Sequence, residues 1–129
     1  MKRVLCWCGL ALLLVGCKAG VKAVSHQANI DAQTVYSMEI DPLPPERKVQ
    51  ITNRSGRVLE AYLVAPDKAA QVQQALLEGR RLPEGDIREQ GKLEAEGRLT
   101  FTLPGNTGGV VLISNSHGTA ATVQLDIGS

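Results

Sequence analysis

The stretch Val49-Gln-Ile-Thr-Asn53-Arg-Ser-Gly56-Arg-Val-Leu-Glu-Ala-Tyr-Leu-Val64 decides the fold class. Val49 and Ile51 on one side, and Val58 to Val64 on the other, are β-branched, aromatic and aliphatic runs of strand length. Between them, Asn53 can bond its own backbone two residues on. Gly56 can take the left-handed conformation that closes a type I turn with a bulge. The expectation is a β-hairpin.

Reading outward, the same device recurs near the C-terminus. Val110 to Ile113 leads into Ser114-Asn115-Ser116-His117-Gly118, and Thr119 to Ile127 returns. Both turns follow the pattern [Ser/Thr]-Asn-x-x-Gly between β-branched runs, which turn chemistry alone can produce. Arg98 to Leu103 alternates Leu99, Phe101 and Leu103 with Thr100 and Thr102, as a half-buried strand does. Thr34 to Ile40 reads as a further strand, ended by Asp41-Pro42-Leu43-Pro44-Pro45 because proline cannot donate to a ladder. One helix is expected at about 67–78. Asp67 is its N-cap candidate, Ala69, Val72, Ala75 and Leu76 share a face, and Gly79 marks the stop. Arg80 to Glu96 is charged and weakly periodic, and reads as a long surface loop with room for one short strand. Six strands and one inserted helix give a mainly all-β fold, an antiparallel β-sandwich of immunoglobulin-like or jelly-roll character.

The N-terminus carries a different signal. Met1-Lys2-Arg3 is a basic start, Val4 to Val15 is a 12-residue apolar run, and Leu14-Val15-Gly16-Cys17 closes it. The run is too short for a membrane span, which needs ~20 apolar residues, and it fits a secretory leader. Its last four residues resemble the bacterial lipobox. That resemblance implies cleavage between Gly16 and Cys17, and a diacylglycerol thioether on Cys17. Residues 1–16 are then signal peptide, 17–30 a lipidated tether and 31–129 the sandwich domain. Cys6 and Cys8 leave with the leader and Cys17 is consumed by lipid, so no disulfide or thiolate metal site is expected. In similar lipoproteins an aspartate after the cysteine favours the inner membrane. Lys18 here implies the periplasmic face of the outer membrane.

Residues 17–129 hold 12 basic and 13 acidic side chains, against 14 and 13 in the full chain. That balance gives no basic surface for nucleic acid. Tyr36, Tyr62 and Phe101 are the only aromatics after Cys17, too few for a stacking platform. His26, expected in the tether, and His117 are the only histidines. His117 beside Ser116 lacks the third group a triad needs, and two histidines without thiolates make a poor zinc set. Glu94 and Glu96 read as solvated. No cofactor or metal is expected, and no enzyme. The sharpest candidate for interaction is a basic patch of Arg80, Arg81 and Arg88, suited to anionic headgroups or an acidic partner.

From Val49 to Ile127 the order of elements is similar to small GOLD-type sandwich domains. The hairpin into Tyr62-Leu63-Val64, the helix, Leu99 to Pro104 and Val111 to Asn115 carry that resemblance. It implies a role in protein–protein or lipid-linked interaction, without an active site. The functional expectation is a membrane-anchored envelope lipoprotein acting as an interaction or assembly module with an unidentified envelope protein. The alternative is a small-ligand or inhibitor-type binding lipoprotein of the periplasm. That alternative predicts a concave apolar pocket between the sheets, whereas a module working through its surface should have a filled core.

Overall fold

The computed structural model describes residues 24–82 and 84–128. Among these residues run eight strands: β1 Val24–Ile30, β2 Thr34–Ile40, β3 Arg47–Asn53, β4 Leu59–Val64, β5 Ile87–Leu93, β6 Arg98–Leu103, β7 Gly109–Asn115 and β8 Ala121–Gly128. They form two four-stranded sheets, in the orders β1-β8-β3-β6 and β2-β7-β4-β5, with every pairing antiparallel. Only the β4–β5 connection stays within one sheet; all the others cross from one sheet to the other. This is jelly-roll topology, so of the two sandwich types expected the structure takes the second.

Both expected hairpins are corrected by this order. β3 and β4 lie in different sheets, as do β7 and β8. Each Asn-containing turn is therefore an arch over the core. Gly56 and Gly118 do not supply the left-handed conformation either, since Gly79 is the one described glycine at positive φ.

One strand departs from the expected tether, and another fills the room left in the expected loop. β1 occupies Val24–Ile30, which the sequence reading gave to the tether (17–30), and pairs with β8 from Val24↔Ile127 to Ile30↔Ala121. Its pattern is weak because it is an edge strand with only Ala28 and Ile30 buried. β5 lies within the expected loop Arg80 to Glu96. Its alternation is hidden because Gly91 sits on an inward position: a Cβ there would meet Leu99 Cδ1 at 3.0 Å.

The core lies between the sheets around Phe101, Ile51, Leu63, Leu93 and Ile113, each 0–1 % exposed. Burying each such side chain contributes roughly 1.5–3 kcal/mol. A second cluster covers the outside of the β2-β7-β4-β5 sheet, where Tyr62, Val64, Val110 and Leu112 meet Val72 and Leu76 of helix α1, Ala69–Glu78. β4 and β7 are thus apolar on both faces, which explains their nearly continuous hydrophobic runs. The helix matches the expected position. Asp67 is not its cap, however: it lies in a 3-10 turn at Pro66–Lys68, and no side chain caps the helix. Gly79, at φ 69°, does end it. The amides of Gly79 and Arg80 fold back onto the carbonyls of Leu76 and Ala75, at 3.3 and 2.9 Å.

Candidate functional site

Strand direction sorts the loops into two ends. Loops 31–33, 54–58, 94–97 and 116–120 share one end, here the arch end, and each crosses between the sheets. The opposite end carries loops 41–46 and 104–108, the start of β1 and the end of β8. It is termed the clasp end.

The arch end is organised by two buried amides, Asn53 and Asn115, each 1 % exposed. Asn53 Nδ2 faces three carbonyls: Arg57 at 2.5 Å in its own arch, and Leu93 at 3.2 Å and Glu94 at 3.1 Å at the β5–β6 arch. Its Oδ1 accepts from the backbone N–H of Ser55 at 2.9 Å and from Ser55 Oγ at 2.7 Å. Asn115 repeats the arrangement. Its Nδ2 donates to Thr119 O at 2.9 Å in its own arch, and to Ile30 O and Asp31 O at 3.1 and 3.2 Å in the β1–β2 arch. Its Oδ1 accepts from the N–H of His117 at 3.1 Å. An amide suits this place because it donates and accepts on one short, neutral side chain.

Further bonds tie this end together. Within the pairs, Glu96 N–H donates to Ser55 O at 3.2 Å and Gln33 N–H to His117 O at 3.1 Å; between them, Arg54 N–H reaches Thr122 O, on β8, at 2.9 Å. His117 Nε2 lies 2.8 Å from Val58 O. His117 is therefore a strut between arches. The four loops form one hydrogen-bonded surface rather than four separate tips.

What this surface shows to solvent is mixed. Arg54, Arg57 and Val58 are exposed on the β3–β4 arch, and Glu94 and Glu96 on the β5–β6 arch. The Arg54 guanidinium grips Gln124 Oε1 at 3.2 Å through Nε and 2.6 Å through Nη2, on the outer face of the β1-β8-β3-β6 sheet. Beside it an open depression of about 380 Å³ is bordered by Arg54, Glu96, Arg98, Gln124 and Asp126. The outward residues here are polar, so the depression suits hydrogen bonds and ion pairs rather than an apolar ligand.

The expected site residues fall in several places. Gly16 and Cys17 lie outside the described residues. Arg80 is exposed and ion-paired with Glu78, whose carboxyl is held below its usual range by hydrogen bonds from Gln74 and Arg80. Arg81 and Arg88 border a common depression together with Leu82, Ile87 and Glu89, and Arg88 Nη1 donates to Gly108 O at 2.7 Å. Arg80 does not border that depression. The Glu89 carboxylate beside it accepts the Thr102 N–H at 2.9 Å, which caps the free edge of β6. The three arginines are thus divided, with acids among them. His26 lies on β1, stacked against Tyr36 with ring centroids 6.5 Å apart. Among the described residues no three His, Cys, Asp or Glu side chains gather as a metal-ligand set. No helix among them is long and apolar enough to cross a membrane.

Sequence reasoning picked out Asn53 and Asn115 as turn formers and missed that they are buried linchpins. The repeated [Ser/Thr]-Asn-x-x-Gly pattern was the available signal.

No family model and no curated protein matches the chain. Solved structures do. The chain is similar to PirA at 15 % identity and a TM-score of 0.53, over 78 % of this chain and 90 % of that one. It is also similar to PliG of Aeromonas hydrophila, a periplasmic lysozyme inhibitor of g-type lysozyme. That match is at 10 % identity and a TM-score of 0.52, over 88 % of this chain and 91 % of the other. At such identities the likeness shows a shared β-sandwich fold.

Proposed function

We propose that this chain is an extracytoplasmic lipoprotein, anchored through Cys17, that binds a protein partner in the manner of an inhibitor. The observation that carries the reading is a filled core beneath a hydrogen-bonded surface. Phe101, Ile51 and Leu63 close the space between the sheets, while depressions among the described residues are open and mainly polar at the exterior. A small apolar ligand calls for an enclosed pocket. A protein partner calls for a preorganised surface, because ordering loops on binding costs affinity. The fold shared with PliG, a periplasmic lysozyme inhibitor, turns the binding role toward inhibition of a lysozyme.

The test uses the folded domain and g-type lysozyme. Lysis of a peptidoglycan suspension should fall as the protein is added in stoichiometric excess, and the two should co-elute on gel filtration. Full lytic activity together with separate elution would defeat the inhibitor reading. A second measurement addresses the anchor. Cys17→Ser should move the protein from the membrane to the soluble fraction of cells, whereas an unchanged distribution would remove the lipidation.

A further inference from the structure

Chain direction fixes which end of the sandwich an anchored molecule presents. β1 begins at the clasp end and reaches the arch end at Ile30. Seven peptide steps separate Cys17 from Val24, so the start of β1 lies within roughly 25 Å of any lipid on Cys17. The strand then carries the chain roughly 23 Å further before the first arch. The clasp end is therefore the tethered end, and the arch end stands one strand length further out along the chain.

The outward end is also the prebuilt one. Asn53 and Asn115 bury two amides to hold four loops in register, and the bonds from Arg54, Gln33, Glu96 and His117 complete the set. On the β3–β4 arch, Arg54-Ser55-Gly56-Arg57-Val58 carries two exposed guanidiniums and no acid, with Val58 40 % exposed beside them. The neighbouring β1–β2 and β5–β6 arches add the exposed acids Asp31, Glu94 and Glu96 at the same end, so the cationic feature is this one arch.

We infer that the arch end is the docking surface. It is presented away from the membrane, and the Arg54–Val58 arch meets an acidic face of a soluble protein partner. Arginine suits such a contact because its planar fork pairs with carboxylates through two hydrogen bonds. The inference rests on the proposed binding role and on the Cys17 anchor, and it names the surface that serves them.

Two arms test it. In the first, Gly56→Cys at the arch end and Glu46→Cys at the clasp end each receive a fluorophore on lipidated protein in vesicles containing headgroup-quencher lipid. Gly56 has open space around it and Glu46 is exposed, so both variants should fold. Strong quenching at position 46 and little at 56 is expected; equal quenching, or the reverse, overturns the orientation. In the second arm, g-type lysozyme is titrated with the wild type, with the double variant Arg54→Ala/Arg57→Ala, and with Lys68→Ala as control. The double variant should bind at least tenfold more weakly, with its circular dichroism and urea midpoint nearly unchanged, while the control binds as wild type. Undiminished binding by the double variant overturns the docking surface and leaves the inhibitor reading intact. No binding by the wild type defeats that reading, and the quenching arm then decides the presentation of the arch end by itself.

Discussion

The two ends of the sandwich solve one problem with different chemistry. Loops that cross between sheets leave backbone carbonyls facing inward, and each must find a donor. At the arch end, neutral amides do this: Asn53 and Asn115 reach three carbonyls each and use their own oxygens as acceptors. At the clasp end, a buried cation does it. Arg47 is 3 % exposed and its Nη2 donates to Asp41 O at 2.8 Å and Thr107 O at 3.3 Å, while its Nε has no partner. An amide fits the space with its capacity used; a guanidinium leaves a donor idle and buries a charge. The clasp end compensates through close backbone packing. Asn106 N–H bonds Leu43 O at 2.6 Å, and a Cβ on Gly105 would stand 2.3 Å from Pro44 O. The comparison teaches that the arch end depends on side-chain hydrogen bonds and the clasp end on the absence of side chains.

The largest expected effect comes from breaking an amide. Asn53→Ala strips three buried or part-buried carbonyls of their donor and should destabilise the domain by about 3 kcal/mol, read from the urea midpoint. Asn115→Ala should match it within about 1 kcal/mol if the two arches are equivalent; a loss under about 1 kcal/mol at either would break the comparison.

Gly105→Ala comes next. Its new methyl group meets backbone rather than a flexible side chain, so two loops must shift, at a cost of about 2 kcal/mol. Gly56→Ala, its counterpart in the arch end, has nothing within 4 Å and should stay within about 0.5 kcal/mol of wild type. Equal effects at the two glycines would contradict the division of labour.

The third change sharpens the contrast. Arg47→Met removes two hydrogen bonds but also relieves the burial of a charge with an idle donor. We expect a loss of about 1 kcal/mol, well below that at Asn53. A loss as large as that of Asn53→Ala would mean that the cation holds the clasp end as firmly as the amides hold the arches.

Legibility followed the strength of local patterning. β6 was plain because Leu99, Phe101 and Leu103 alternate with threonines, and α1 was plain because its apolar face and Gly79 agree. β1 was lost because an edge strand buries so few of its residues. β5 was legible only as room for a short strand, because inward Gly91 gives Leu99 its room and Glu89 serves the neighbouring edge. The candidate surface was half visible. Asn53 and Asn115 stand out as a repeated pattern, whereas Arg80, Arg81 and Arg88 read as one patch because no spacing rule reveals the partners Glu78 and Gly108.

By itself the sequence determined an antiparallel β-sandwich with one helix stopped at Gly79, because alternation, turn residues and a left-handed cap are local matters. Only the tertiary structure decided that the Asn turns are arches. A loop of given chemistry can return a strand to its own sheet or throw it over the core, and the choice lies with partners far along the chain. Asn53 meets Leu93 across 40 residues and Asn115 meets Ile30 across 85. No local signal carries that distance, and it is there that the ends of the molecule acquired their different chemistry.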